Sequence, residues 1–145
     1  MVLLIIGLAA ALSYPSLRRG TTAFHLRATG RDVLNHLRYA REKAITEQKE
    51  MTVTVDRDTQ TVVLSEAAGE DRKVLTLPED VKIVEMRSVE REITEGPLVA
   101  RFLPNGSAES AKIVLKADNG GEIGLVIDPV TGGARMQLVQ EKGSP

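Results

Sequence analysis

The sequence predicts an α+β protein, with one long N-terminal helix packed on an antiparallel β-sheet head. Three observations predict it. Residues 2–12 read VLLIIGLAAAL, with no charged or polar side chain. The run RDVLNHLRYAREKAITEQKE (residues 31–50) places Val33, Leu37, Ala40 and Ala44 at steps of four, three and four, the spacing of one helix face. After Glu50 the apolar period drops to two, so helix and strands are segregated along the chain.

The elements follow in order. Residues 1–17 form an apolar helical stub for a membrane or a filament core. Pro15 removes one backbone hydrogen bond there, and a gentle bend is expected. Residues 18–50 form an amphipathic helical stem, with Phe24 and Ala28 continuing the apolar stripe towards the N-terminus at mixed four- and five-residue steps. Gly20 and Gly30 each weaken it by about 1 kcal/mol relative to alanine. Residues 51–140 are the β-rich head. Met51–Val55 and Thr61–Ser65 form a hairpin across Asp56–Gln60. Arg72–Leu77 and Val81–Met86 follow as strands, then a charged loop, Ser88–Pro97, and a short strand, Val99–Leu103. Lys112–Lys116 and Gly124–Asp128 pair across Asp118–Gly121, and Val130–Gly133 turns into a last strand, Ala134–Val139. Residues 141–145 form a frayed tail.

Composition narrows the function. There is no cysteine, which removes disulfide scaffolds, thiol catalysis and cysteine zinc sites. Aromatics are 3% with no Trp, so the core is aliphatic. The net charge of −1 is unevenly spread, about +4 over residues 16–50 and −5 over 51–145, so a basic stem meets an acidic head. The stub alone spans about 16 Å against about 30 Å of bilayer hydrocarbon. It is too short to cross unless residues precede it.

The segment IIGLAAALSYPSL (5–17) resembles the N-terminal helix of type IV pilins and type II secretion pseudopilins. Ala40, Arg41, Ala44 and Ile45 resemble the "ARxxAI" helix end of one branch, the GspH/FimT minor pseudopilins. Phe102–Ser107 (FLPNGS) resembles that branch's "F-x-P-x-G" strand and turn, and Ile127–Gly132 (IDPVTG) its "x-P-x-T-G" turn. The resemblance implies a pilin-like fold and a non-enzymatic structural subunit of the type II secretion pseudopilus, close to its tip, that aids export across the bacterial envelope. It implies a single-pass inner-membrane protein with a periplasmic head and a methylated N-terminus. The implied partners are other minor pseudopilins, the major pseudopilin, the inner-membrane assembly platform and, for a full-length precursor, the prepilin peptidase. The basic leader, its terminal Gly, the following Phe and the early Glu of that family have no counterpart before Met1. Alignment on Gly7 and Pro15 implies about seven further mature residues and a leader. Arg18 and Arg19, by the positive-inside tendency, point to the opposite orientation, so the sequence leaves orientation open.

The residues expected to pack in membrane or filament are Leu3, Leu4, Ile5, Ile6, Gly7, Leu8, Ala11, Leu12 and Pro15, the small ones allowing close stem contact. Two alternatives are a FimT-like type IV minor pilin serving pilus assembly or DNA uptake, and a soluble exported β domain released by cleavage near Ala11. For DNA the candidate contacts are Arg101, Lys112, Lys116 and Arg135. So few cations on an acidic head predict weak binding, because affinity scales with the phosphates neutralised. Catalysis has no support. His25 and His36 lie about 16 Å apart along one helix and cannot share a metal. Asp56 and Asp58 read as a turn, Glu66, Glu70 and Asp71 as solvated charge, and no nucleophile elbow or phosphate loop is present. No cofactor or metal is expected.

Overall fold

The computed structural model describes residues 2–66 and 72–139, with the side chains of 10–22 outside the description. The expected tail and the Glu70–Asp71 pair lie outside the described residues. One helix, α1, runs from Val2 to Glu47, and its hydrogen-bonded course continues through Pro15. At about 1.5 Å per residue it is about 69 Å long. It ends at Gln48, which takes a positive φ of 52°, while Lys49 N–H bonds back to the Ala44 carbonyl at 3.1 Å. This is the six-to-one closure of a Schellman cap, with glutamine in the place glycine usually fills.

Eight strands follow: β1 (Met51–Asp56), β2 (Thr61–Glu66), β3 (Arg72–Thr76), β4 (Val81–Ser88), β5 (Leu98–Phe102), β6 (Ala111–Ala117), β7 (Glu122–Ile127) and β8 (Ala134–Leu138). They form two four-stranded sheets, ordered β3-β2-β1-β5 and β4-β6-β7-β8, and every pairing is antiparallel. The chain changes sheet after β3, returns after β4 to lay β5 beside β1, and leaves again after β5.

The two sheets share one aliphatic core beneath α1. In β1 and β5 burial alternates residue by residue, which is the half-buried strand pattern the sequence shows. The largest fully buried side chains include Phe102, Leu37, Met51, Ile83 and Met86. The helix contributes Leu26, Val33, Leu34, Leu37, Ala40 and Ala44, the two alanines fully buried. Phe24 departs from the expected stripe and is 69% exposed. Leu26 and Thr29 take the core-facing positions instead, because steps of three and four from Val33 lead to them and the five-residue step from Ala28 does not. Gly30 lies against the second sheet so closely that a Cβ there would come within 2.3 Å of Ile123 Cδ1. The glycine that weakens the helix leaves room for the Ile123 and Met136 side chains.

Gln60 ties the two sheets together. It carries a positive φ of 55°, donates from Nε2 to the Arg57 carbonyl at 2.6 Å, and accepts the Ile83 N–H through Oε1 at 2.7 Å. Ile83 borders the irregularity in the β4–β6 ladder, where one residue is left unpaired. The side-chain amide supplies the partner that this part of the strand needs.

Candidate assembly surfaces

The first surface is the bare end of α1. Leu3, Leu4, Ile5, Ile6 and Leu8 are between 59% and 85% exposed, and nothing lies within 4 Å of the Cβ position of Gly7. A contiguous exposed run of this kind marks an interaction site rather than ordinary surface. The side chains of Ala11, Leu12 and Pro15 lie outside the described residues. Among the described residues no helix is long and apolar enough to cross a membrane.

The second surface is where the three sequence motifs meet, at the far end of the helix. Arg41 Nε donates to the Thr131 carbonyl at 2.8 Å. Gly132, at φ +67°, lies under that side chain, and a Cβ there would come within 2.1 Å of the Gly106 carbonyl oxygen. Gly106, at φ +89°, faces Ile45. Asn105 Oδ1 accepts from Ser107 N–H at 3.0 Å, and Asp128 Oδ1 accepts from Val130 and Thr131 N–H at 2.8 and 3.1 Å. Those backbone donors, the Thr131 one foremost, hold the Asp128 carboxyl below its usual range. Alanines at 40 and 44 admit the sheets, Arg41 clasps one turn, and Ile45 covers the other. These residues fasten helix to head. Beside them an open groove of about 470 Å³ is lined by Arg38, Glu42, Thr46 and Ala134 among others.

The four basic candidates separate. Arg101 lies on β5, where Glu109 receives its Nε and one terminal nitrogen at 2.9 and 2.7 Å, and that pairing pushes its pKa further up. Lys112, Lys116 and Arg135 share the outward face of the second sheet, since Val126 on β7 sits opposite both Lys112 and Arg135.

The remaining candidates have structural roles. His25 Nδ1 is 2.6 Å from Asp80 and ties the helix to the β3–β4 turn. His36 is 6% exposed, and its Nε2 donates to the Lys73 carbonyl at 3.3 Å. Burial lowers its pKa, and the Lys73 charge adds to the depression. Asp56 Oδ1 caps its own turn through the Asp58 N–H at 2.8 Å. Glu66 is not solvated charge. Only 10% exposed, it lies 3.1 Å from Lys43 and 3.6 Å from Lys49, joining the helix end to β2. Among the described residues no group of three His, Asp or Glu could hold a metal. The Ser88–Pro97 loop folds back on β4 through an Ile93 N–H to Met86 carbonyl bond at 2.8 Å, and Arg57 donates to the Thr94 carbonyl at 2.6 Å. Neither Gln60 nor Glu66 stands out in the sequence, because each earns its place through partners remote along the chain.

A family model described as the type II transport protein GspH matches residues 29–133. No curated protein matches the sequence. Among solved structures, the minor pseudopilin EpsH from the type 2 secretion system of Vibrio cholerae aligns with a TM-score of 0.64 at 15% identity, over 79% of this chain and 97% of that one. A second EpsH structure gives 0.62 at 15% identity, over 82% and 97%. The type IV minor pilin FimU of Pseudomonas aeruginosa gives 0.58 at 18% identity, over 86% and 96%. At these identities the likeness shows the fold.

Proposed function

The chain belongs to the GspH family of type II transport proteins, and from that premise we propose that it is a non-enzymatic minor pseudopilin, a structural subunit of a secretion pseudopilus that works near the filament tip. Its head lies in the periplasm, and its apolar helix end is held in the inner membrane until assembly draws it among neighbouring stems. The observation that carries this reading is the exposed run Leu3–Leu8, continuous with a helix whose far end is buried in the head. Acyl chains and neighbouring stems remove the same apolar surface from water, so transfer between them is nearly balanced in free energy. An assembly machine can then move the subunit at small cost. Gly7, with open space at its Cβ position, allows close stem-to-stem approach.

The partners in this reading are other minor pseudopilins, the major pseudopilin and the assembly platform. The expected sites of partner-specific contact are the Ser88–Pro97 loop, where Val89 is 73% exposed, and the turn near Asp118. The fold likeness to FimU supports a second reading, a minor pilin of a type IV pilus.

The test is Leu4→Asp with Leu8→Asp in the native cells. Membrane retention should be lost while the detergent-purified head keeps its cooperative melt. Unchanged membrane fractionation of the double variant refutes anchoring. Intact mass from the same cells adds a second check, since peptidase processing leaves a methylated N-terminus.

A further inference from the structure

We infer that the outward face of the β4-β6-β7-β8 sheet docks an acidic segment of a partner protein. The pairing register assembles this face. One row across the sheet reads Arg87, Lys112, Val126, Arg135, and another reads Lys82, Lys116, Glu122. Between them runs Glu85, Val114, Gly124, Gln137. Five cations therefore share one face with two carboxylates, in a head region whose overall balance is −5. Glu85 lies 4.0 Å from Arg87 and Glu122 lies 3.8 Å from Lys116. The Asp128 carboxylate, just beyond the end of β7, interacts with Arg135. A face charged against the sign of its own domain attracts a complementary partner and repels like-charged surfaces.

The centre of the face is built differently from its rim. Val114 is 3% exposed although it points away from the core, so flanking side chains cover it. Gly124 lets Lys112 Cε and Val139 Cγ2 lie close, at 3.7 and 3.6 Å from where its Cβ would be. The lysine stem thus reaches over the middle row at Gly124 and carries its charge towards the centre of the face. With Val114 covered, the face meets a partner through charge, from its middle as well as from its outer rows. Lys112 and Lys116 are four residues apart on one strand, about 13 Å, so an extended partner with carboxylates four residues apart would meet both rows. Nucleic acid fits less well, because the face has no aromatic ring for base stacking.

The experiment uses the full chain in nonionic detergent at about 50 mM salt, where surface charge is weakly screened. Two labelled probes are titrated by fluorescence anisotropy, poly-glutamate and a short DNA duplex. Poly-glutamate should bind more tightly than the duplex. Lys112→Glu with Arg135→Glu should weaken poly-glutamate at least about tenfold. Arg31→Glu with Arg38→Glu, the same charge change on exposed helix positions, should leave it within about twofold. Lys112→Gln with Arg135→Gln serves if the reversal fails to melt cooperatively. No poly-glutamate binding, equal weakening by both reversals, or tighter binding of the duplex overturns the proposal. Any of these leaves the anchoring reading untouched, because the stub is unchanged in every variant.

Discussion

Replacing Gly132 with alanine separates two costs that the helix-to-turn junction combines. The first is conformational: at φ +67° an L residue sits in the left-handed region, at about 1–2 kcal/mol. The second is contact. The new Cβ would come within 2.1 Å of the Gly106 carbonyl oxygen and 3.2 Å of Arg41 Cδ and Nε. The oxygen belongs to a backbone turn that cannot rotate aside, so the two turns must separate, at about 1–3 kcal/mol for overpacking. If Arg41 then loses the Thr131 carbonyl, a further loss of about 1 kcal/mol follows. The total is about 3–6 kcal/mol. Gly96 (φ +76°) and Gly120 (φ +92°) are the controls, since neither has anything within 4 Å of its Cβ position. Their alanine variants should cost only the conformational part, about 1–2 kcal/mol. Urea unfolding followed by far-UV circular dichroism suits a chain with no Trp and two Tyr. The midpoint for Gly132→Ala should fall well below both controls at unchanged slope. Equal midpoints for the three variants would refute the claim that close approach, rather than backbone conformation, fixes this glycine.

Two further predictions concern the helix-to-sheet junctions. His36 has a lowered pKa in the folded state, so below the unfolded value of about 6.5 the unfolded chain binds more protons. Stability present above that value should therefore decline as pH falls towards and past the lowered one. His36→Gln keeps a donor for the Lys73 carbonyl, and the loss in melting temperature between about pH 7.5 and 5.5 should shrink. An unchanged loss would assign the acid sensitivity elsewhere. Glu66→Gln removes the largely buried carboxylate that faces both Lys43 and Lys49, and should cost about 1–3 kcal/mol in urea unfolding. Lys49→Gln, removing a partner that is 56% exposed, should cost less than about 0.5 kcal/mol.

Much of the fold was legible because its signals are local. Alternation in MTVTVD and the three-four spacing from Val33 to Ala44 report burial directly, and the strand bounds agree within about two residues. The division into two sheets was not legible. It depends on where β4 leaves and β5 returns, and on Gln60 meeting the irregularity near Ile83, a pairing of residues 23 apart. Phe24 misled because aromaticity suggested burial where the helix phase points to solvent. Of the basic residues, Lys112 and Lys116 share a face by strand period alone. Arg87 and Arg135 join them only through register, and Arg101 leaves them because β5 belongs to the other sheet.

The way α1 is seated has a mechanical consequence. From Leu26 to Ala44 the helix lies along both sheets, while Leu3–Leu8 project at its other end. A pull on that projecting end acts along the helix axis. It loads the buried interface in shear, with Leu26, Val33, Leu37, Ala40 and Ala44 resisting together rather than peeling one by one. Arg41, clasping the turn beyond the last of them, resists sliding where the side chains alone would ratchet. A head attached in this manner can be hauled by its stem under loads that would unzip a hairpin.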